Sequence, residues 1–443
     1  MNTPPTVAVI GGGFSGLLTA VHLLHADTTV VVRLVEKAPQ FGRGRAFGQG
    51  RADQLLNVRV ANMSAFPDRP SHFQDWLAAR GDRATAETFV SRTLYGDYLQ
   101  SILREAVLDP GGAGRLLLEQ DEAIEVRPRG GRFQIDLALG RDFLADAVVL
   151  AVGLGPPAQP PEISADALSQ RNYVADPWRG DLERLPEGDV LLLGSGLTMV
   201  DVALAMGRPG RTLLALSRRG LQPRTHGPAP PAPPPADPLG TPRQVFAALR
   251  AHARAVGWRA AVDSIRPLTA DLWRRWSEAD RRAFLRHLQP WWDVHRHRVS
   301  PSVAAQLAEP RWLERFKVLA GRLGALEPEE GGFRATIRPR GQRRPVVHSF
   351  QAVVNCTGLS GDLGASCLLA DLKARGVARP DALNLGLQVD AAFRLVGAMG
   401  EPANGIFAVG PLTRGALWEA VAVPDLRNQT ARVAETVMAS LAA

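Results

Sequence analysis

Gly11, Gly13 and Gly16 follow an apolar run at 7–10 and open a helix-like stretch, and a second apolar run at 30–35 ends in the acid Glu36. Each glycine has a separate physical task. Gly11 permits a tight turn, Gly13 lets the backbone approach a pyrophosphate, and Gly16 lets helix pack on strand, with the pyrophosphate at the helix N-terminus. Glu36 would bind ribose hydroxyls. Glycines at this spacing also occur in turns that bind nothing, but here strand, glycines, helix, second strand and acid stand in the order a dinucleotide requires.

A second copy begins with Asp189 and the apolar run 190–193 and continues Gly194, Ser195, Gly196, Leu197, Thr198, with Met199 in the third glycine position. The following strand-like run, 212–216, ends in Ser217, Arg218 and Arg219, where the first copy ends in Glu36. Cations suit an adenosine ribose that carries a phosphate better than a bare diol, which favours NADP over NAD. The same arginine pair also fits an ordinary solvated loop. Two cradles of unlike charge imply two dinucleotides, FAD in the first and NADPH in the second.

The rest of the composition narrows the class. Hydrophobic residues make up 45% of 443, enough for two or three ordinary domain cores. The net charge of +8 is no nucleic-acid signature: only Lys37, Lys317 and Lys373 are lysines, the arginines are scattered among acids, and no RNA- or DNA-binding motif accompanies them. Cys356 and Cys367 form no CxxC pair, which excludes a flavoenzyme that reduces disulfides through adjacent thiols. No cluster suggests a metal. The N-terminus runs straight into the first strand and no apolar run is long enough to span a bilayer, so no membrane association and a cytoplasmic location are expected.

The elements that position these residues read as an α/β protein with two Rossmann-like dinucleotide-binding domains. Residues 6–36 form the first β-α-β unit, 40–94 a loop-rich insertion, and 95–108 a helix, followed by strands at 115–119 and 132–139. The run 145–161 is a buried strand leaving through a Gly/Pro hinge that contains Gly153. A Pro-rich loop at 227–238 and a helical insertion at 242–319 precede a return to strands ending at 352–358. A short strand at 405–411 and a closing helix at 416–441 would complete the first sheet. The expected division is therefore 1–157 and 346–443 for a discontinuous FAD domain, with the NADPH domain, 158–345, inserted. A helix N-terminus near Ala416 would then point partial positive charge at a reduced flavin.

The order of these motifs resembles the two-dinucleotide flavoprotein group that includes flavin-dependent N-hydroxylating and Baeyer–Villiger monooxygenases. More closely, the chain resembles the bacterial FAD-NAD(P)-binding family of that group. The resemblance rests on Asp53–Val58 with Met63–Pro67, on 91–98, on Asp176-Pro177-Trp178, on 217–220 with 223–226, on 291–298, and on 410–415 with Trp418-Glu419. It implies FAD held by Gly11, Gly13, Phe14, Ser15 and Gly16, by Glu36 and Lys37, by Gly153, and by Gly410, Pro411, Ala416, Leu417 and Trp418. Asn57 and Met63 would lie near the isoalloxazine. Met199 and the Val152 of Ala-Val-Gly depart from the family pattern, and no FxGxxxHxxxW stretch is present, which argues against a Baeyer–Villiger enzyme.

The implied activity is an NADPH-using monooxygenase that passes oxygen from a hydroperoxyflavin to a small nucleophile, with N-oxygenation of an amine or amino acid leading. The cofactor carries the chemistry, so no catalytic triad is expected and none is found. Trp291, Trp292, His295, Trp418 and Glu419 are the pocket candidates, since indoles and charged groups stack on and hydrogen-bond a ligand. Tryptophans and histidines at a helix end serve packing and capping equally well. A reductase or oxidase that inserts no oxygen, and a redox-sensing scaffold, remain the rival readings.

Overall fold

The computed structural model describes residues 4–48, 54–109, 114–235 and 238–442, in two compact units. One unit takes the chain up to Gly155, the short segment Thr269–Arg274, and the chain from Gly361 onward; the other takes Pro156–Leu268 and Arg275–Ser360.

The first unit is built on a six-stranded sheet in the order Arg394–Val396, Pro402–Ala408, Ala147–Leu150, Thr6–Ile10, Val31–Glu36, Leu116–Gln120. All neighbours are parallel except the outermost pair, Arg394–Val396 with Pro402–Ala408. The apolar runs make this possible, because a parallel sheet is covered on both faces and its central strands have no polar side to offer. Ala147–Leu150 is buried at every position. On one face the helix Phe14–Ala26 packs with the closing helix Val423–Leu441 through Leu17, Val21, Val433 and Val437. Each such side chain contributes roughly 1.5–3 kcal/mol by leaving water. The other face carries Leu150, Leu395 and Ile406 against a small antiparallel sheet of Ala123–Arg129, Arg132–Leu137 and Asp142–Ala145.

The second unit has a seven-stranded sheet in the order Val346–Phe350, Gly332–Pro339, Phe316–Glu329, Arg211–Ser217, Gly188–Leu193, Ala352–Asn355, Tyr173–Val174. Its centre is parallel, and the Phe316–Glu329 side is antiparallel. The expected α/β architecture with a discontinuous first domain and an inserted second one is therefore present.

Several boundaries differ from expectation. Residues 346–360 lie in the inserted unit, because Val346–Phe350 and Ala352–Asn355 hydrogen-bond in its sheet, and the first crossing falls at Gly155 rather than 157. The helical insertion ends at Arg315, since Phe316–Ala320 pairs in ladder with Leu213–Ser217. The helix expected at 95–108 starts at Arg92, where the Ser91 side chain accepts from the Leu94 amide. The closing helix starts at Val423, not near Ala416. Pro424 explains this: it fits a first turn, whereas inside a helix begun at 416 it would remove a hydrogen bond and clash, at about 3 kcal/mol. Of the Pro-rich loop, residues 227–235 form no helix or strand, and 236–237 lie outside the described residues.

Candidate dinucleotide-binding sites

The first cradle is a turn held from behind by its own sheet. The Gly11 amide donates to the Val35 carbonyl at 2.8 Å, and Gly11 has φ +104°. A Cβ there would stand 2.5 Å from the Ala151 carbonyl oxygen, so the end of the neighbouring strand forbids any side chain. A Cβ on Gly16 would overlap the Gly11 carbonyl oxygen, which fixes how closely helix and turn approach. Gly13 is the helix N-cap and has no side-chain cap. The opening amides of the helix, through Phe14, Ser15 and Gly16, have no acceptor within the helix, an arrangement that suits a phosphate oxygen.

Glu36 sits beside this turn and accepts from the Gly12 amide at 2.7 Å and the Ala38 amide at 2.8 Å. Both carboxylate oxygens are thereby aimed and keep lone pairs for hydroxyls. Gly12 went unassigned in the sequence; its amide is part of the site and a Cβ on it would crowd that of Glu36. Lys37 points to the surface, paired with Glu122 at 2.7 Å. Gly153, φ +71°, has open space where a Cβ would be.

The loop at 410–418 meets the same turn. A Cβ on Gly410 would stand 2.7 Å from Ser15 Oγ. A buried hydrogen-bond ring sets its backbone: the Gly410 amide donates to Gln429 Oε1 at 3.0 Å, Gln429 Nε2 donates to Thr413 Oγ1 at 2.7 Å, and that hydroxyl donates to the Gly410 carbonyl at 2.8 Å. Nothing in the spacing singled out Gln429, because its partners lie sixteen and nineteen residues away. Pro411, Ala416 and Leu417 are half-buried in successive turns, so a helix dipole does not start at Ala416.

Trp418 is buried and stacks on Trp273 at 5.0 Å, with the Arg414 guanidinium 4.7 Å from its ring centre; Glu419 beside it is also buried. Trp273, from the Thr269–Arg275 helix, donates its indole N–H to the Gly415 carbonyl at 2.8 Å. Asn57 is half-buried, whereas Met63 is only 2% exposed in the hydrophobic core, so its side chain offers a ligand no surface. Asp53 lies outside the described residues. A cavity of about 640 Å³ in this unit, lined by Leu24, His25, Phe66, Arg69 and Arg104, shares no residue with the cradle.

The second cradle repeats the first with altered chemistry. The Gly194 amide donates to the Leu216 carbonyl at 2.8 Å, φ is +111°, and a Cβ would stand 2.6 Å from the Cys356 carbonyl oxygen. Gly196 caps the helix Leu197–Met206 without a side-chain bond and has nothing within 4 Å of a Cβ position, while Leu197 and Thr198 are half-buried in its first turn. Some helices here have capping hydroxyls, from Ser91, Ser164, Ser277 and Ser300, while others, such as His72–Ala79 and Val423–Leu441, have none. Both cradle helices lack one, which leaves their N-termini to an anion. Ser195 Oγ donates to the Leu221 carbonyl at 2.5 Å and lies 2.7 Å from Ser217 Oγ, which accepts from the Gly220 amide at 3.0 Å. Arg218 is exposed, and Arg219 donates to the Arg286 carbonyl at 3.1 Å.

The 291–298 segment is knit into the helical insertion. Trp292 is buried; His295 Nδ1 lies 2.7 Å from the Trp291 carbonyl oxygen and its ring meets Trp258 edge-on at 5.0 Å. Arg298, itself buried, donates to both Asp263 carboxylate oxygens at 2.9 and 3.1 Å. Trp291 alone of this group is largely exposed, at 44%. These residues and Trp418-Glu419 belong to different units.

Both thiols are free, with Cys356 buried behind the second cradle. Among the described residues no group of acidic, histidine or cysteine side chains could hold a metal ion, and no helix is long and apolar enough to cross a membrane.

Two nucleotide cradles on two Rossmann-like sheets, one sheet interrupted by the other, define the fold of the two-dinucleotide flavoproteins. Solved structures agree. The chain is similar to the ornithine N-hydroxylase KtzI of Kutzneria sp. 744, with TM-score 0.69 and 17% identity over 98% of each chain. It is similar to the ornithine hydroxylase PvdA of Pseudomonas aeruginosa, with TM-score 0.68 and 16% identity over 99% of each. It is also similar to DfoA, a cadaverine monooxygenase of Erwinia amylovora bound to FAD, with TM-score 0.70 and 13% identity over 99% of this chain and 95% of that one.

In sequence, residues 8–155 match the model of the FAD-NAD(P)-binding family. A curated relative, the uncharacterized protein YdhS of Escherichia coli K12, is 23% identical over 213 residues, 45% of this chain. The match spans 39% of that relative's length.

Proposed function

We propose that this protein is an NADPH-dependent, FAD-containing monooxygenase that oxygenates the nitrogen of a small amine or amino acid. The observation that carries the reading is the pairing of two uncapped cradles with opposite charge at the ribose end, Glu36 in one and Arg218-Arg219 in the other. Solved proteins of this fold include N-hydroxylases, which supports this reaction class. Bound FAD supplies the two-electron chemistry that links NADPH to dioxygen.

The chain's own residues bind and orient. The amides of Gly13 to Gly16 hold the FAD pyrophosphate, Glu36 takes the ribose hydroxyls, and the Gln429–Thr413–Gly410 ring fixes the loop beside them. Gly196, Leu197 and Thr198 hold the second pyrophosphate, with Arg218 and Arg219 on the 2′-phosphate. Trp418 and Glu419 are the substrate-side candidates this reading favours, since they follow directly on the Gly410 loop that meets the first cradle; the packing of Trp292 and His295 against Trp258 and the insertion's own backbone supports a structural role for them.

The balanced reaction is R–NH2 + O2 + NADPH + H+ giving R–NHOH + H2O + NADP+. It is tested by supplying the FAD-loaded protein with NADPH and a panel of diamines and basic amino acids, and measuring NADPH, hydroxylamine and peroxide together. The expected result is one amine that accelerates NADPH consumption and appears as hydroxylamine in matching amount. Electrons recovered only as peroxide or in an artificial acceptor would instead mark a reductase or oxidase.

A further inference from the structure

Resting on the NADPH reading, we propose that the 2′-phosphate site of the second cradle extends beyond its strand-end pair to Arg322 and Arg340, which close it as a four-arginine clamp. The ladder brings these residues together. Ser217, the last residue of its strand, is the Cα partner of Ala320, and the Arg340 amide donates to the Ala320 carbonyl at 2.8 Å. The Ser217–Gly220 turn lies against Ala320, with a Gly220 Cβ position 3.1 Å from that of Ala320. Arg322 stands two residues further along this strand, directly opposite Arg338, and Arg340 stands two residues beyond Arg338. Arg322 and Arg340 are both exposed.

Electrostatics gives the cluster its need for an anion. Partial burial holds the Arg219 guanidinium below its ordinary pKa, and the positive charges of Arg218, Arg340 and Arg322 add to that effect. Among the described residues, none of these four arginines forms an ion pair with a carboxylate, although arginines elsewhere in the chain commonly do. Like charges gathered around Arg219 without a paired carboxylate are relieved by a dianion, and guanidinium forks suit a phosphomonoester.

The register says which phosphate. Ile10 pairs with Val35 in the first cradle and Leu193 with Leu216 in the second, so Ser217 occupies the place of Glu36, the ribose-facing position. Arg322 and Arg340 come from a hairpin more than a hundred residues after the cradle, and only strand pairing delivers them there.

The test is calorimetric binding of NADP+, NAD+, 2′,5′-ADP and 5′-AMP to FAD-loaded wild-type protein, Arg322→Ala, Arg340→Ala and the double variant. Flavin content and circular dichroism serve as folding controls. The expected result is that wild-type protein prefers NADP+ to NAD+, that each single variant weakens NADP+ and 2′,5′-ADP about five- to tenfold, and that NAD+ and 5′-AMP stay within about twofold. A preference for NADP+ that survives the double variant overturns the clamp and leaves the NADPH reading standing. A parallel loss of NAD+ also overturns it. Wild-type protein that binds both nucleotides equally overturns the NADPH reading itself. If the variants lose only affinity for heparin, the cluster serves a polyanion and the proposal fails.

Discussion

The two cradles share their first glycine and part company at the third. Gly11 and Gly194 have nearly the same backbone angle, the same amide bond to the adjacent strand, and the same carbonyl behind them, from Ala151 in one case and Cys356 in the other. That position is dictated by the sheet. At the third position, Gly16 lies so close to the turn that a Cβ would overlap the Gly11 carbonyl, while Met199 sends a fully buried side chain into the core beneath its own helix. The third glycine therefore follows from how tightly a helix is drawn onto its turn, and the nucleotide need not demand it. Met199 leaves every backbone amide of the second cradle in place.

Opposite substitutions at this position should break the comparison most visibly. Gly16→Ala must push helix Phe14–Ala26 away from Gly11 or shift the turn, and the expected outcome is protein purified with little or no FAD, read from the flavin-to-protein absorbance ratio. Met199→Ala should keep its FAD and lose about 2–5 kcal/mol of stability through the cavity it leaves, read by denaturant melts. Full FAD content in Gly16→Ala would show that the overlap is absorbed elsewhere and that the third position is as free in the first cradle as in the second.

The strand-end acid separates the cradles next. Glu36 holds two amides with its carboxylate, whereas Ser217 in the matching register holds one amide with a hydroxyl. Glu36→Ser would make the first cradle like the second. FAD affinity is expected to fall about ten- to hundredfold, since charge-assisted bonds to amides and ribose are both lost. Equilibrium dialysis against FAD would measure it, and an unchanged dissociation constant would remove Glu36 from the ribose site.

How much of this was readable before any coordinates differs from feature to feature. The glycine spacing, the strand ends and the charge contrast are local, so the cradles stood in the sequence with nearly correct bounds. Pro424 was also local evidence for where the last helix begins. Trp273 and Gln429 were hidden for a different reason: one comes from the middle of the chain to the loop at 410–418, the other reaches back sixteen and nineteen residues, and neither separation leaves a periodic trace. The arginines looked scattered among acids, yet strand pairing gathers Arg322 and Arg340 beside Arg219. Sequence distance conceals charge density wherever a sheet folds the chain back on itself.

The smallest contrast is in acid response. The first cradle's helix carries His22, partly buried against Phe66, and burial with the nearby charge of His25 holds its pKa near 4 despite some opposing help from Asp68. Its ring Nε2 is buried without a hydrogen-bond partner among the described residues. The unfolded chain takes up this proton around pH 6.5 and the folded one only near 4, so between those values unfolding binds more protons and stability falls with falling pH. The stability present above pH 6.5 should decline by roughly 2 kcal/mol on the way to pH 4, a figure reduced from the full shift because the ring is partly in water. The helix of the second cradle, Leu197–Met206, carries no histidine. Denaturant melts of wild type and His22→Gln at pH 7, 5.5 and 4.5 would isolate the effect, because the two curves should converge as the pH drops. Curves that run parallel across that range would show that His22 titrates alike in folded and unfolded chains, and that the acid sensitivity of the first cradle has another source.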